Sequence, residues 1–164
     1  LDVGSFSDAD LTYSQDYLRI LSGLHGVLKP LDLIQAHRLE MGTKLETKKG
    51  KNLYEFWGER ITQALNASLK ESNSTQILNL ASNEYFSSIM VHKIKGAVIN
   101  VKFLEYKNNA YKTISFFAKK ARGAMASFLV KNKIQKINDL KSFNALGYSF
   151  DSTNSNKELL VFIR

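Results

Sequence analysis

Residues 97–130 change their hydrophobic period once, and that change restricts the fold more than any other feature of the chain. From Ala97 to Glu105 the apolar residues Val98, Ile99, Val101 and Phe103 read as a strand. Lys107-Asn108-Asn109-Ala110 reads as a turn, and Tyr111 to Phe117 as a returning strand, so the pair predicts a β-hairpin. From Ala118 to Val130 the period becomes helical. At about 100° per residue, Ala118, Ala121, Met125, Phe128 and Leu129 share one stripe. A hairpin running straight into a helix excludes all-helical and all-strand folds. It predicts a mixed α/β (α+β) fold, with a mostly antiparallel sheet and flanking helices.

The rest of the chain agrees with that class. A first helix starts at Ser7, which can cap it, with Asp8 and Asp10 in its first turn. Leu11, Tyr17, Leu18 and Leu21 give it an apolar side, and it stops at Ser22-Gly23. Leu53, Phe56, Trp57, Ile61, Leu65 and Leu69 predict one amphipathic helix over 53–69. A strand over Gln76 to Leu80 precedes a short helix over Asn83 to Ile89. A further helix covers Ile137 to Phe143, and strands at Tyr148 to Phe150 and Leu159 to Ile163 follow. The Asn/Ser-rich stretches 72–75 and 152–156 read as loops too short to be linkers. With 164 residues and no repeat, a single domain over 1–164 is expected. No apolar run approaches the roughly 20 residues that cross a bilayer, and no signal-type segment is seen. The absence of cysteine excludes disulfides, thiolate catalysis and cysteine metal sites, and it fits a reducing cytoplasm. The sequons at Asn66 and Asn73 read as accidental.

Charge is the first functional clue. The net charge is +8, and it is unevenly spread. The first eighteen residues hold Asp2, Asp8, Asp10 and Asp16 and no cation. Between Glu105 and Asp139 there is no acid, but there are Lys107, Lys112, Lys119, Lys120, Arg122, Lys131, Lys133 and Lys136. Such a span attracts polyanions, although a solvated lysine surface has the same composition.

Leu21-Ser22-Gly23-Leu24-His25-Gly26-Val27 has the apolar-x-Gly-apolar-x-Gly spacing of a helix-hairpin-helix turn. Bare glycine backbone and the N–H groups of a following helix can meet a DNA phosphate there, with Lys29 adding charge. A glycine helix stop followed by a tight turn explains the same residues without a ligand. Lys119 and Arg122 are neighbours at i and i+3 on one edge of the later helix and can share a phosphate, whereas Lys120 falls on the other side. Ser82 or Asn83 can cap the helix that follows a strand end, and Asn83 and Glu84 stand at its start. They read as helix-start residues or, alternatively, as cleft lining, with Glu84 the acid/base of an enzyme acting on nucleic acid or nucleotides and Lys119 and Arg122 on its phosphate. Arg38 with Glu40 reads as a salt bridge or a second Arg–carboxylate cluster, and Tyr54 as a core anchor or a base-stacking ring. His25, His37 and His92 are dispersed, so no metal site is expected. Hydrolase, phosphate-loop and dinucleotide motifs are absent, and no cofactor is expected.

Five segments together carry a family resemblance: LRILSGLHGVLKPLDLIQAHRLEMGTKL, NLYEFWGERIT, LNLASNEYF, FLEYKNNAYKTISFFAKKARGAMASFLV and GYSFD…ELLVFIR. They resemble the YaaA family of bacterial peroxide-stress proteins along essentially the whole chain. The resemblance implies a cytoplasmic protein that protects against hydrogen peroxide and lowers iron-dependent damage to DNA. It also implies DNA binding by a helix-hairpin-helix element at Ser22, Gly23, Leu24, His25 and Gly26, and by a basic cleft involving Arg38, Lys119, Lys120 and Arg122. Family members carry a further N-terminal segment with a Ser-Pro-Ala-Lys motif, so this chain corresponds to the greater, C-terminal part of the family fold. If that segment adds strands, the chain alone exposes an apolar sheet edge.

Overall fold

The computed structural model describes residues 1–164. Its helices are α1 (Asp8–Tyr17), α2 (Leu53–Trp57), α3 (Arg60–Glu71), α4 (Asn83–Phe86) and α5 (Ser115–Lys131). Its strands are β1 (Ile20–Ser22), β2 (Gly26–Leu28), β3 (Gln76–Asn79), β4 (Ala97–Lys107), β5 (Ala110–Lys112), β6 (Ser149–Phe150) and β7 (Leu159–Ile163). The fold is therefore mixed α and β. β1 and β2 form a two-stranded ribbon, and the other strands make one sheet in the order β3-β4-β7-β6, with β5 paired to β4. The pairs β1–β2, β4–β5 and β6–β7 are antiparallel, whereas β4–β7 is parallel, from Asn100 opposite Leu159 to Leu104 opposite Ile163. The packing falls into two compact units. One comprises Leu1–Tyr13, Leu78–Leu80 and Ile99–Arg164, and the other Ser14–Ile77 and Ala81–Val98.

In the first unit, the parallel β4–β7 pair needs a crossover, and α5 lies within it. Ala118, Ala121 and Met125 form the buried stripe expected of that helix and pack with Ile99, Phe103, Leu160 and Phe162. The helix starts earlier than the pattern suggested, because β5 is only three residues long and the chain turns helical at Ser115. Phe103 stacks on Phe162 with ring centres 5.5 Å apart, and the Phe143 ring meets both edge-on. Gly123 must remain small, because a Cβ there would lie 2.9 Å from the Leu1 nitrogen. The turn at Asn108 and Asn109 is as expected, and both residues adopt the left-handed conformation that asparagine tolerates best after glycine.

Two ion pairs hold this unit, and the carboxylate of one, Glu105, is buried. Glu105, on the inward face of β4, accepts a hydrogen bond from Tyr148 Oη and pairs with Arg164 Nε at 2.8 Å. Burial works against its ionisation, but the Tyr148 and Arg164 bonds outweigh that and bring its pKa below the ordinary value. Burial, and then the hydrogen bond to Glu105, pushes the Tyr148 phenol up. Lys133, just past α5, pairs with Asp10, and Tyr13 Oη donates to Ile134 O at 2.6 Å. The Lys133 hydrogen bond, aided by Ser7, lowers Asp10 to about 2.

In the second unit, Met41, Leu53, Ile61, Leu65 and Ile89 form the core. The single helix expected over 53–69 is split in two, because Gly58 has φ 50° and ψ −123°, which no helix interior accepts. Arg60 then lies over the rings of Phe56 and Trp57, 4.5 and 5.0 Å from their centres.

The helix-hairpin-helix expectation is corrected here. α1 ends at Tyr17, and Arg19 Nη1 donates to the carbonyls of Gln15 and Leu18, closing its last turn. Residues 20–22 and 26–28 are strands, so Ser22 to Gly26 is the turn of a β-hairpin. Both glycines are occupied by protein. A Cβ on Gly23 would meet Leu39 O at 2.5 Å, and one on Gly26, at φ +75°, would meet the Trp57 ring at 2.9 Å. Trp57 Nε1 also donates to Gly23 O at 2.9 Å, and the His25 N–H is taken by Ser22 Oγ at 3.1 Å. The spacing that matched a DNA-binding turn is thus explained by close packing against Leu39 and Trp57.

Two outcomes follow from this packing. Gly26→Ala strains the turn and clashes with Trp57; urea unfolding followed by emission of this only tryptophan is expected to show a loss of roughly 2–3 kcal/mol. Glu105 and Asp10 both have folded-state pKa values below the unfolded ones. The stability they contribute is complete above roughly pH 4.5 and is lost as pH falls through the folded values. Glu105→Gln should cost roughly 2–4 kcal/mol at neutral pH and flatten the acid limb of the stability profile. A profile identical to that of the parent protein would refute the role given to Glu105.

Candidate nucleic-acid interface

α5 presents the most distinctive charged surface. Its core stripe leaves Lys119 and Lys120 exposed and Arg122 half-buried at the stripe's edge. The Arg122 guanidinium has no carboxylate partner. Its Nε donates to Ala118 O, one turn back, at 3.3 Å, and burial lowers its pKa from the usual arginine value. Arginine stays protonated regardless, so this is a partly desolvated cation without a counter-ion. Lys120 Nζ sits 4.5 Å from the centre of the Phe116 ring. The start of α5 has no side-chain cap at Ile114 and no acid in its first turn, which leaves its positive end unneutralised. Glu105, the acid that precedes this span, is already paired with Arg164. The arrangement favours an anion with several oxygens, such as a phosphodiester, which accepts the arginine fork and tolerates lysine as a point charge.

The β1–β2 turn offers less. Leu24 and His25 are exposed at its tip, while Ser22, Gly23 and Gly26 are buried. Lys29 Nζ faces Glu71 at 3.4 Å, and Arg38, almost fully exposed, faces Glu40 at 3.5 Å. Ser22, Gly23 and Arg38 do share the wall of a small pocket of about 280 Å³, together with His37 and Tyr85. His25 and His37, distant in sequence, come together with ring centres 5.0 Å apart and edge to face. His37 Nδ1 lies 3.1 Å from Gln35 O. Nothing in the spacing of these histidines signals this contact, because it depends on the path of residues 32–40, which form no helix or strand.

Glu84 is committed to holding the backbone. Its Oε1 accepts the Gly42 N–H at 2.8 Å, and its carbonyl accepts the Tyr54 hydroxyl at 3.0 Å. Burial, and then the Glu84 charge, raises the Tyr54 pKa. Ser82 Oγ caps α4, as expected from the sequence. The acid/base candidate and the stacking candidate therefore tie the 40–42 segment and α2 to α4. An open groove of about 720 Å³ along α3, bordered by Lys70, Lys93 and Lys95, was not anticipated. Asn66 shapes it by bonding Lys93 O and Lys95 N, both at 2.8 Å, and Lys93 pairs with Glu59. These two hydrogen bonds to the backbone, one donated and one accepted, explain the asparagine in the first sequon.

No helix of the structure is long and apolar enough to cross a membrane. A family model described as "Peroxide stress protein YaaA" matches residues 1–154. A UPF0246 protein of Saccharophagus degradans is 52% identical over the whole chain, which covers 64% of that relative. UPF0246 proteins of Aliivibrio fischeri and Idiomarina loihiensis are 51% and 52% identical, again over all of this chain and 63% and 64% of theirs. The chain thus spans a little under two thirds of the length of these curated relatives. On the family match and these identities, the chain belongs to the YaaA family of peroxide stress proteins.

Proposed function

We propose that this chain binds DNA, mainly through phosphates, and that the binding serves cytoplasmic protection against hydrogen peroxide by limiting iron-dependent damage to DNA. Family membership supports the stress role. The half-buried Arg122 without a carboxylate carries the DNA reading, because desolvating a guanidinium without a partner is unfavourable and a phosphate would relieve it. Lys119 extends the contact along the same helix edge, and Lys120 adds charge from the other side. Lys29 and Arg38 contribute less, since Glu71 and Glu40 already face them. At the β1–β2 turn the exposed Leu24 and His25 are the available contacts, and Ser22, Gly23 and Gly26 act by shaping the turn.

Three engaged phosphates predict a fall in duplex affinity of roughly forty-fold between 50 and 200 mM salt, measured by fluorescence anisotropy. Affinity that stays flat with salt would exclude the phosphate mechanism. Lys119→Glu combined with Arg122→Glu should abolish gel retardation in a protein that still unfolds cooperatively. Arg122→Met separates binding from folding. It should weaken binding and reduce the salt slope by about one while leaving the melting temperature equal or higher, since it removes an unpaired, partly buried charge. Unchanged retardation by both variants would remove α5 from the interface.

A further inference from the structure

The β4–β5 ribbon projects two aromatic rings that no core uses. Tyr106 and Tyr111 are directly opposite each other in the antiparallel register, with ring centres 5.2 Å apart, and their residues are 61% and 48% exposed. Directly opposite residues share a face, so both rings stand on one side of the ribbon. The other side carries Lys107 and Lys112, with Glu105 turned inward to Tyr148 and Arg164. The tip is a tight two-asparagine turn, and all of β5 is exposed. The tyrosine pair supports the strand pairing of the ribbon but adds nothing to the core beneath it, and it leaves both rings open to solvent. Their neighbours exclude an acidic or neutral apolar partner less well than they select a polyanion with flat rings, because each tyrosine is flanked in sequence by an unpaired lysine.

We propose that the tip of the β4–β5 ribbon is a stacking site for unpaired nucleobases, with Tyr106 and Tyr111, their ring planes inclined at 60°, each offering a face to a base, and Lys107 and Lys112 attracting the adjoining phosphates. Stacking is tolerant of base identity, so the site reads whether a base is unpaired rather than which base it is. The lysines need not share the aromatic face. Each adjoins a tyrosine in the chain, and at low salt, where the screening length approaches roughly 30 Å, its charge reaches a strand on the aromatic side. The inference rests on the nucleic-acid reading above and adds a ligand class, the unstacked strand, at residues outside α5.

The test measures binding of oligo(dT), oligo(rU) and a fully paired duplex to the same protein. Tyr106→Ala and Tyr111→Ala should each weaken oligo(dT) binding at least about fivefold, the lower bound for loss of one stacked base, with duplex affinity nearly unchanged. Tyr106→Phe with Tyr111→Phe keeps the rings and should retain binding, which separates stacking from the hydroxyl groups. Lys107→Gln with Lys112→Gln should reduce the salt slope for oligo(dT) instead. Weaker oligo(rU) than oligo(dT) binding identifies DNA as the source of the strand, and the reverse identifies RNA; both support the stacking site. Duplex binding with oligo(dT) and oligo(rU) affinities untouched by the alanine variants would overturn the stacking site and leave the α5 reading intact. Equal losses for duplex and single strand would also overturn it. Failure of every nucleic acid to bind would remove both readings.

Discussion

Phe103 stacks on Phe162 across a parallel strand pair, and much of the first unit follows from that contact. Parallel neighbours cannot be joined by a tight turn, so the chain must leave β4, cross a face of the sheet and return as β7. α5 lies on that path, and Ala118 and Ala121 let it approach the sheet closely. Once those alanines face inward, helical geometry puts Lys119 and Lys120 outside and Arg122 at the boundary. The position of the unpaired guanidinium is therefore a consequence of core packing.

The distribution of acids decides how much of the cationic charge remains available. Lys133, Lys93, Lys29 and Arg164 each face a carboxylate, and Asp10 and Glu105 are drawn well into their pairs. Between Glu105 and Asp139 the chain supplies no acid to do the same for α5. Burial of Glu105 against Tyr148 and Arg164 removes the carboxylate that precedes this stretch from the surface field. A positive surface results from where the acids are spent inside the fold as much as from the number of lysines.

The elements that were legible in the sequence are those whose signal is local. The hairpin turn at Asn108-Asn109, the buried stripe of α5, the Ser82 cap and the strand at Leu159–Ile163 need only a few consecutive residues to be recognised. What was missed depends on distant partners. Gly58 lies within a continuous apolar helical pattern, and only its positive φ splits the helix. Gly23 and Gly26 match a phosphate-binding spacing, yet Leu39 O and the Trp57 ring fill the space that a side chain at either position would need. Glu84 looks like a cleft carboxylate until Gly42, 42 residues away, donates to it. The His25–His37 contact has no local sign at all. The cationic edge of α5 was legible because period and composition coincide there. The absence of any carboxylate beside Arg122 needed the fold.

The two faces of the β4–β5 ribbon have one cause. Successive strand residues alternate sides, so fixing one residue fixes all of them. Phe103 faces the core, and Glu105, two residues on, faces the same way and reaches Tyr148 and Arg164. Lys107 continues on that side beyond the end of the core, and Tyr106 is forced to the opposite side, where its partner Tyr111 is set by the turn. A one-residue slip of the hairpin would exchange lysine for tyrosine on β5 and bring Lys112 toward the aromatic side. The slip is opposed by the Asn108-Asn109 turn, whose left-handed conformations admit few registers, and by the burial of Glu105, which only the observed alternation allows. The separation of rings from charges is thus imposed from inside the protein, by the buried Glu105 carboxylate and an aromatic stack beneath the surface they organise.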